Sequence, residues 1–479
     1  MTTRDDLIAR IETGAANMRK QRWGTLLSEL TDHVYLVGGT VRDLALGIEP
    51  KDIDLLLPAG HALDVGERLA KKLGARFVLL HADFGVCRVV LRPEYWLDLA
   101  DFQGATLEED LARRDLRINA VALRFPGPAE PVDPLHGLDD LSAGIARVPS
   151  PEVLAADPVR VLRVFRFAAQ FDLTVDEQTI AACRDHAKNL AETPGERVWE
   201  ELRRILGHAR AAPWIAALDE CRIVDALFPP LAAAAGFPQP EYHHLDVRDH
   251  SIEAAKQVDA LVRDEFFAPA LAEPENRAML RLAALLHDVG KPPSATPDEK
   301  RGFTRFPMHS RLGAQLSAQM ADRLRLSKKE KKRLVRLVDV HMRPHQLAEL
   351  HANNRLTSRA ARRFFVDLKE DWLLALALAR ADLLATNGPK APPEGLARAK
   401  AFAAFLASER ERRGAPGEPL VSGEEILTLG VPPGPAVGRL LEAVEEERFR
   451  RPSLTRREAL DLLARIAHNE NLIQPKDSN

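Results

Sequence analysis

The hydrophobic period of this chain changes once, and that change limits what it can fold into. Over roughly the first 125 residues, short apolar runs alternate with helical patterns, the layout of a mixed α/β layer. From Leu154 onward the spacing becomes three and four. Val159, Leu162, Phe165 and Ala169 share one helical face, and nearly everything after them follows the same rule. The expected class is therefore α+β: a mixed sheet with helices, then all-helical parts. Two stretches rich in helix-stopping residues, Gly236-Phe-Pro-Gln-Pro240 and Asn387-Gly-Pro-Lys-Ala-Pro-Pro-Glu-Gly395, divide the helical part. With 479 residues there is room for about three domains or more. The expected segments are 1–150, 151–235, 240–388 and 395–479.

Within the first segment, Val34–Val37 and Ile53–Leu57 read as strands with a helix, Val41–Leu46, between them. Arg76–Leu80, Val86–Leu91 and Trp96–Leu99 read as further strands. Thr106-Leu-Glu-Glu109 has the form of a capping box that starts a helix running to Arg114. Asn119–Phe125 reads as one more strand.

This frame gives chemical meaning to Val37-Gly-Gly-Thr-Val-Arg-Asp43 and Lys51-Asp-Ile-Asp-Leu55. A strand that runs through Gly38 and Gly39 into a helix offers bare backbone N–H groups and a helix N-terminus to an anion. Arg42, in the first turn, can add a charged fork to phosphate. Asp52 and Asp54 lie two apart on a strand, so both side chains point to one face. Two carboxylates beside a phosphate cradle can hold Mg²⁺ against a triphosphate. Asp98, on a later strand, is a candidate third carboxylate. The bland alternative is a tight turn plus solvated surface acids, but an apolar strand has little reason to carry two carboxylates on one face.

Composition narrows the partners. Lys+Arg 67 against Asp+Glu 70 leaves a net charge of -3, so any nucleic-acid contact must use a local basic face. Arg323–Arg336 and Arg359–Arg363 are two such clusters, and solvated helix faces are the plain alternative for both. Aromatic residues make up 5%, too few for a binder that works mainly by stacking. The cysteines, Cys87, Cys183 and Cys221, are too scattered for a disulfide scaffold or a Cys-cluster zinc site, and they suit a reducing cytosol. The charged start MTTRDDLIARIETG is no secretory signal, and the longest apolar run, Trp372 to Ala379, is too short to span a bilayer. A soluble cytoplasmic protein with no membrane partner is expected.

The string GGTVRD…DID is followed by three further motifs. These are Arg113-Arg-Asp-Leu-Arg-Ile-Asn-Ala120, Asp157-Pro-Val-Arg-Val-Leu-Arg163 with Arg166-Phe-Ala168, and Glu196-Arg-Val-Trp-Glu-Glu-Leu202. In that order they resemble the bacterial tRNA nucleotidyltransferase and poly(A) polymerase family over roughly residues 30–230. The resemblance implies a polymerase-beta-like nucleotidyltransferase head and a helical neck, with CTP and/or ATP as donor and a tRNA 3′ end as acceptor. Asp52 and Asp54 would hold two Mg²⁺ ions; Gly39 and Arg42 would meet the triphosphate. Arg114 would reach the nucleotide, with Asp115 and Asn119 supporting its ribose. Asp157 and Arg160, one helical turn apart, would read the base edge, and Arg163 and Arg166 would continue that stripe toward phosphate. Ala156 stands where the family commonly has Glu, and Arg117 where it often has a small hydroxyl. The stretch from Asp98 to Arg113 is short, which in this family goes with addition of part of the terminus, CC rather than A.

The middle segment contains His250, Leu286-His-Asp-Val-Gly-Lys-Pro292, His309-Ser-Arg-Leu-Gly313, His341-Met-Arg-Pro344 and Asp382. This series resembles the all-helical HD phosphohydrolase superfamily. It implies a metal held by His250, His287, Asp288 and Asp382, with His309 and His341 completing a second metal or holding a phosphate oxygen. Mixed nitrogen and oxygen donors suit Mn²⁺, Ni²⁺, Co²⁺ or Mg²⁺. Leu420-Val-Ser-Gly-Glu-Glu-Ile-Leu-Thr-Leu-Gly430 and Pro433-Gly-Pro435 are similar to the C-terminal part of family members carrying that domain. The rivals to a tRNA enzyme are a poly(A) polymerase, an HD phosphohydrolase with an RNA-binding head, and a non-catalytic RNA-binding protein.

Overall fold

The structure, a computed structural model, describes residues 2–127, 130–239, 244–298, 303–386, 394–413, 420–451, 453–470 and 472. The chain forms two compact units, Met1–Ala232 with Asp322–Leu326, and Ala233–Ala321 with Ser327–Asn479. Of the two expected breaks, Pro240 and residues 387–393 lie outside the described residues.

The first unit opens with two helices, α1 (Arg4–Lys20) and α2 (Arg22–Leu30). The N-terminus singled out for its charge is thus helical: Thr3 and Asp6 form a capping box, and Leu7, Ile11, Ala15 and Met18 bury one face. There follow β1 (Val34–Val37), α3 (Gly39–Leu46), β2 (Asp52–Leu57), α4 (Ala62–Leu73), β3 (Arg76–His81), β4 (Val86–Arg92) and β5 (Tyr95–Asp101). Next come α5 (Leu107–Ala112), β6 (Ala122–Phe125), β7 (Pro131–Val132), α6 (Gly137–Ala143), α7 (Glu152–Ala156) and α8 (Arg160–Phe171).

The seven strands form one sheet in the order β3-β4-β5-β2-β1-β6-β7. Only β2 and β5 run parallel; the other neighbours are antiparallel. α4 covers one face, where Val65 and Leu69 are buried with Ile53, Val89 and Leu97. On the other face, Leu107 and Leu111 of α5 pack on Val37, Leu56 and Ala122.

Two sequence expectations change here. The strand expected from Asn119 starts only at Ala122, because Arg117–Asn119 is a 3₁₀ turn whose Asn119 side chain bonds sideways rather than along a ladder. The helix after Thr106 ends at Ala112. Its cap is split: Thr106 Oγ1 accepts from the Glu109 N–H, while the Glu109 carboxylate reaches the N–H of Ala105.

The second unit is helical among the described residues apart from one short hairpin, Thr296–Asp298 with Phe303–Arg305. Its central helix, Trp372–Ala385, is buried almost all round, as expected for a helix apolar on every side. It packs against Val247–Val262 and Pro274–Leu286. Toward the C-terminus, Gly423–Thr428, Pro435–Arg450 and Arg456–Asn469 enclose Ile426, Leu440, Val444 and Leu463. Among the described residues no helix is long and apolar enough to cross a membrane. All three cysteines are buried free thiols.

Candidate active site

At the end of β1 the chain turns through Gly38 at φ +63 and enters α3 at Gly39. A Cβ on Gly38 would sit 2.7 Å from Arg114 Nη1 and 3.3 Å from Asp54 Oδ2. The glycine is required twice, by its left-handed backbone and by this close approach. Asp54 and Asp98 are register partners across β2 and β5, with Asp52 opposite Trp96. Burial pushes the Asp54 carboxyl up to about 6; Arg114 and the Gly39 N–H oppose the rise while Asp98 and Asp52 add to it. Asp52 is raised too, by burial and then by Asp98. Three acids share one face, and the positive charge near Asp52 and Asp54 does not offset what raises them.

Asp98 does have a partner. Arg88 Nε and Nη2 donate to its two oxygens at 2.7 and 2.8 Å, so a ligand role for Asp98 requires that fork to open. Thr40, which the sequence reading passed over, ties together the backbone groups of the two lead aspartates. Its buried hydroxyl donates to the Asp52 carbonyl at 3.3 Å and accepts from the Asp54 N–H at 2.7 Å. Arg114 is steadied by Asp110, which accepts from Nε and Nη2.

Arg42, expected to reach outward to phosphate, is buried instead. Nε and Nη2 donate to Asp43, Nη1 donates to Asn119 Oδ1 at 2.6 Å, and the guanidinium lies 5.0 and 4.6 Å from the ring centres of Phe167 and Phe171. Asn119 in turn donates to Asp115 at 2.9 Å, and Arg163 donates to Asp115 from Nε at 2.7 Å. Burial would raise the Asp115 carboxyl, but Arg163, Asn119 and the Leu116 N–H hold it below its usual range. Arg163 and Arg166 both pair with Glu201 on the Gly195–Leu206 helix. Arg166 is buried there, so it does not continue an exposed stripe.

Asp157 and Arg160 are one turn apart, the Arg160 N–H donating to the Asp157 carbonyl at 3.0 Å, but they do not share one continuous helix. Pro158 keeps Asp157 out of the helical region, at φ −147 and ψ 94, and the chain breaks between α7 and α8. The two still meet, with Arg160 Nε 3.9 Å from Asp157 Oδ2. Arg160 Nη1 donates to the carbonyls of Arg113 and Val153. Arg197, not singled out from the sequence, donates to Asp157 at 2.7 Å.

The second unit gathers its own centre. His250, His287 and Asp288 form one set of ligand atoms, and Asp288, His309 and His341 another. His250 Nε2 lies 2.9 Å from Asp382 Oδ1, so all six expected residues converge. His345, which sequence reading missed, sits 2.9 Å from Asp382 Oδ2, and Lys291 lies 2.6 Å from Asp288. His287, His309 and His341 each send Nδ1 to a backbone carbonyl, of Ala284, Phe306 and Val338. A carbonyl only accepts, so Nδ1 carries the proton and Nε2 faces inward. His309 and His341 meet Nε2 to Nε2 at 3.2 Å, which leaves room for one shared proton or one cation. Asp288 and Asp382 are held well below the usual carboxylate range despite burial, Asp288 by His287 and Lys291, Asp382 by hydrogen bonds from His250, His287 and His345.

The basic clusters are largely spoken for. Arg333 and Arg336 pair with Asp371, Arg359 pairs with Glu442, and Arg363 with Asp367. Lys328, Lys329 and Lys332 remain exposed.

Comparison with known proteins gives matches to three family models along the chain. Residues 34–147 match the family model described as the poly A polymerase head domain. Residues 172–235 match the probable RNA and SrmB-binding site of polymerase A, and 247–387 match the HD domain. The chain is 36% identical over 425 residues to an A-adding tRNA nucleotidyltransferase of Deinococcus radiodurans, covering 86% of this chain and 91% of that one. It is 35% identical over 424 residues to a CC-adding tRNA nucleotidyltransferase of Thermus thermophilus, covering 86% and 88%. A solved structure of the Thermotoga maritima CCA-adding enzyme complexed with tRNA shares the fold, with a TM-score of 0.63 at 20% identity over 96% of this chain and 98% of that one. The chain belongs to the bacterial tRNA nucleotidyltransferase and poly(A) polymerase family, with an HD domain later in the sequence than its head.

Proposed function

We propose that this protein is a cytoplasmic tRNA nucleotidyltransferase that extends the tRNA 3′ end from CTP, adding C residues. The observation that carries this is Asp54, one of the β2 carboxylate pair, set against the Gly38-Gly39 turn with Arg114 beside it. A divalent cation fits, because burial and mutual repulsion raise Asp52 and Asp54 and a dication relieves both. Asp52 and Asp54 would hold Mg²⁺, which when bound would supply Lewis-acid activation of the RNA 3′-hydroxyl and charge neutralisation at the leaving pyrophosphate. The chain's own groups do the rest. The N–H groups at the start of α3 and Arg114 orient the triphosphate. Asp157 and Arg160 present an acceptor and donors to the base edge, with Arg197 fixing Asp157. Arg42, Asn119, Asp115 and Arg163 brace α8 against the catalytic turn. The organisation proposed is head 1–150, neck 151–235, HD domain 240–388 and tail 395–479.

CC addition is favoured by the short link, residues 102–106, between β5 and α5, where the family's full CCA-adding members insert a longer loop. A addition is favoured by the Deinococcus relative. Incubating tRNA that lacks its 3′ terminus with single labelled nucleotides decides between them. Two C residues from CTP alone support the proposal, one A onto a CC end supports the second reading, and a long A tract indicates a poly(A) polymerase.

For the HD centre we propose Mn²⁺, Ni²⁺ or Co²⁺ held by His250, His287, Asp288 and Asp382, with His309 and His341 on the neighbouring position. The facing ring nitrogens of His309 and His341 favour it. A phosphomonoester or 2′,3′-cyclic phosphate is the substrate class to assay. Metal analysis after purification without chelator tests the site.

A further inference from the structure

We propose that Trp96, with Arg88 laid over it, is the platform on which the 3′-terminal base of the RNA acceptor stacks. The inference rests on the nucleotidyltransferase reading and goes beyond it by assigning the acceptor's place.

Strand register fixes the surface. Asp52 pairs with Trp96 and Asp54 with Asp98 across β2 and β5; Arg88 pairs with Asp98 and Val90 with Trp96 across β4 and β5. Alternation therefore puts all six side chains on one face of the sheet. The opposite face at these strands, with Cys87, Val89, Leu97 and Leu99, is buried. On the acidic face Asp52 is exposed, while Trp96, Arg88, Val90 and Asp98 are half-buried.

In-line displacement then assigns the sides. The Gly38-Gly39 turn and Arg114, which would cradle the triphosphate, lie on the β1 side of Asp54. The attacking hydroxyl must approach the reacting phosphorus opposite the leaving pyrophosphate. It therefore arrives over β5 and β4, where Trp96 lies beside Asp52. The platform is pre-formed: Arg88 Cζ stands 4.3 Å from the Trp96 ring centre, and both Asp98 oxygens hold that guanidinium in place. An aromatic ring backed by a fixed guanidinium accepts any base, since every base has a π-face. An enzyme that adds successive nucleotides needs that tolerance, because its acceptor's last base changes with each addition.

The test is steady-state kinetics of Trp96→Leu and Trp96→Phe on tRNA ending at the unextended position and on tRNA ending in C. Trp96→Leu should raise KM for both RNAs by about tenfold or more and leave KM for CTP within about twofold. Trp96→Phe, which keeps a ring, should restore most of the loss. If KM for RNA does not move, or KM for CTP rises by the same factor, the assignment is overturned. Should Trp96→Leu fail to fold, tryptophan emission decides. RNA should quench the wild-type protein more than Trp96→Phe, and equal quenching overturns the proposal. A wild-type protein that extends no tRNA would instead bring down the functional reading itself, and this inference with it.

Discussion

In the head, Asp52 and Asp54 come together on one strand within three residues, and Asp98 joins them from the neighbouring strand. In the second unit, Asp288 and Asp382 come from distant helices and are met by five imidazoles and a lysine. The electrostatic outcomes are opposite. Asp52 and Asp54 are pushed up, burial being the largest cause, so their site is short of positive charge until a cation arrives. The HD carboxylates are held down by the groups around them, Asp288 by His287 and Lys291 and Asp382 by hydrogen bonds from His250, His287 and His345. The first site is half-open, as a reversible triphosphate–metal exchange requires. The second is shut around its ligands, as suits a resident ion.

The largest expected effect breaks the head's side of this contrast. Asp54→Ala should cut nucleotide addition by roughly a hundredfold or more, the scale of losing one aimed electrostatic contact in a transition state. Circular dichroism should show the fold retained, because the replacement relieves repulsion between Asp54 and its neighbours Asp52 and Asp98. Addition at even a tenth of the wild-type rate would contradict the assignment.

The HD side is broken by His287→Ala with Asp288→Ala. The double variant should lose any co-purifying transition metal and any phosphomonoesterase activity, since an incomplete ligand set no longer holds the ion. Metal content equal to wild type, measured by plasma mass spectrometry, would place the ion elsewhere.

A smaller effect is expected at the brace between catalytic turn and neck. Arg163→Ala leaves Asp115 buried with one partner fewer and should cost about 1–3 kcal/mol in urea unfolding. Asn119→Ala breaks the same chain at its next link. The two losses combined should be less than additive, because both act on Asp115. Strict additivity would mean that the chain from Arg42 to Arg163 does not act as a unit.

The smallest effect concerns the base. Asp157→Ala should shift the CTP-to-ATP preference by roughly tenfold, the worth of one hydrogen bond to a charged group. A fall in rate with unchanged preference would make Asp157 structural.

These two regions also differ in how far the sequence betrays them. The β1–α3–β2 site is legible because its residues lie within a short stretch, and strand alternation alone puts Asp52 and Asp54 on one face. Arg42 is not legible in that way. Its partners Phe167 and Phe171 belong to a helix far along the chain, and nothing local shows that it will be buried. The spacing of Asp157 and Arg160 alone suggests a continuous helix, although Pro158 carries the signal that breaks it. Thr40 leaves no trace in the motif, whereas His345 had one: it stands four residues after His341, the spacing of one helix face. The α1 helix is equally legible in the spacing of Leu7, Ile11, Ala15 and Met18, a period that the charged residues between them obscure. The HD residues could be ordered along the chain by resemblance; their common tautomer, set by carbonyls of Ala284, Phe306 and Val338, comes only from the fold.

The central claim is that nucleotide addition depends on the head's carboxylates and is independent of the HD centre. It is tested most directly by one extension assay on 3′-truncated tRNA at saturating RNA and CTP. The assay compares wild type, Asp54→Asn, and the His287→Ala, Asp288→Ala double variant, all shown to be folded. The account predicts no product with Asp54→Asn and near wild-type product with the double variant. Extension by Asp54→Asn, or collapse of extension in a folded double variant, would contradict it.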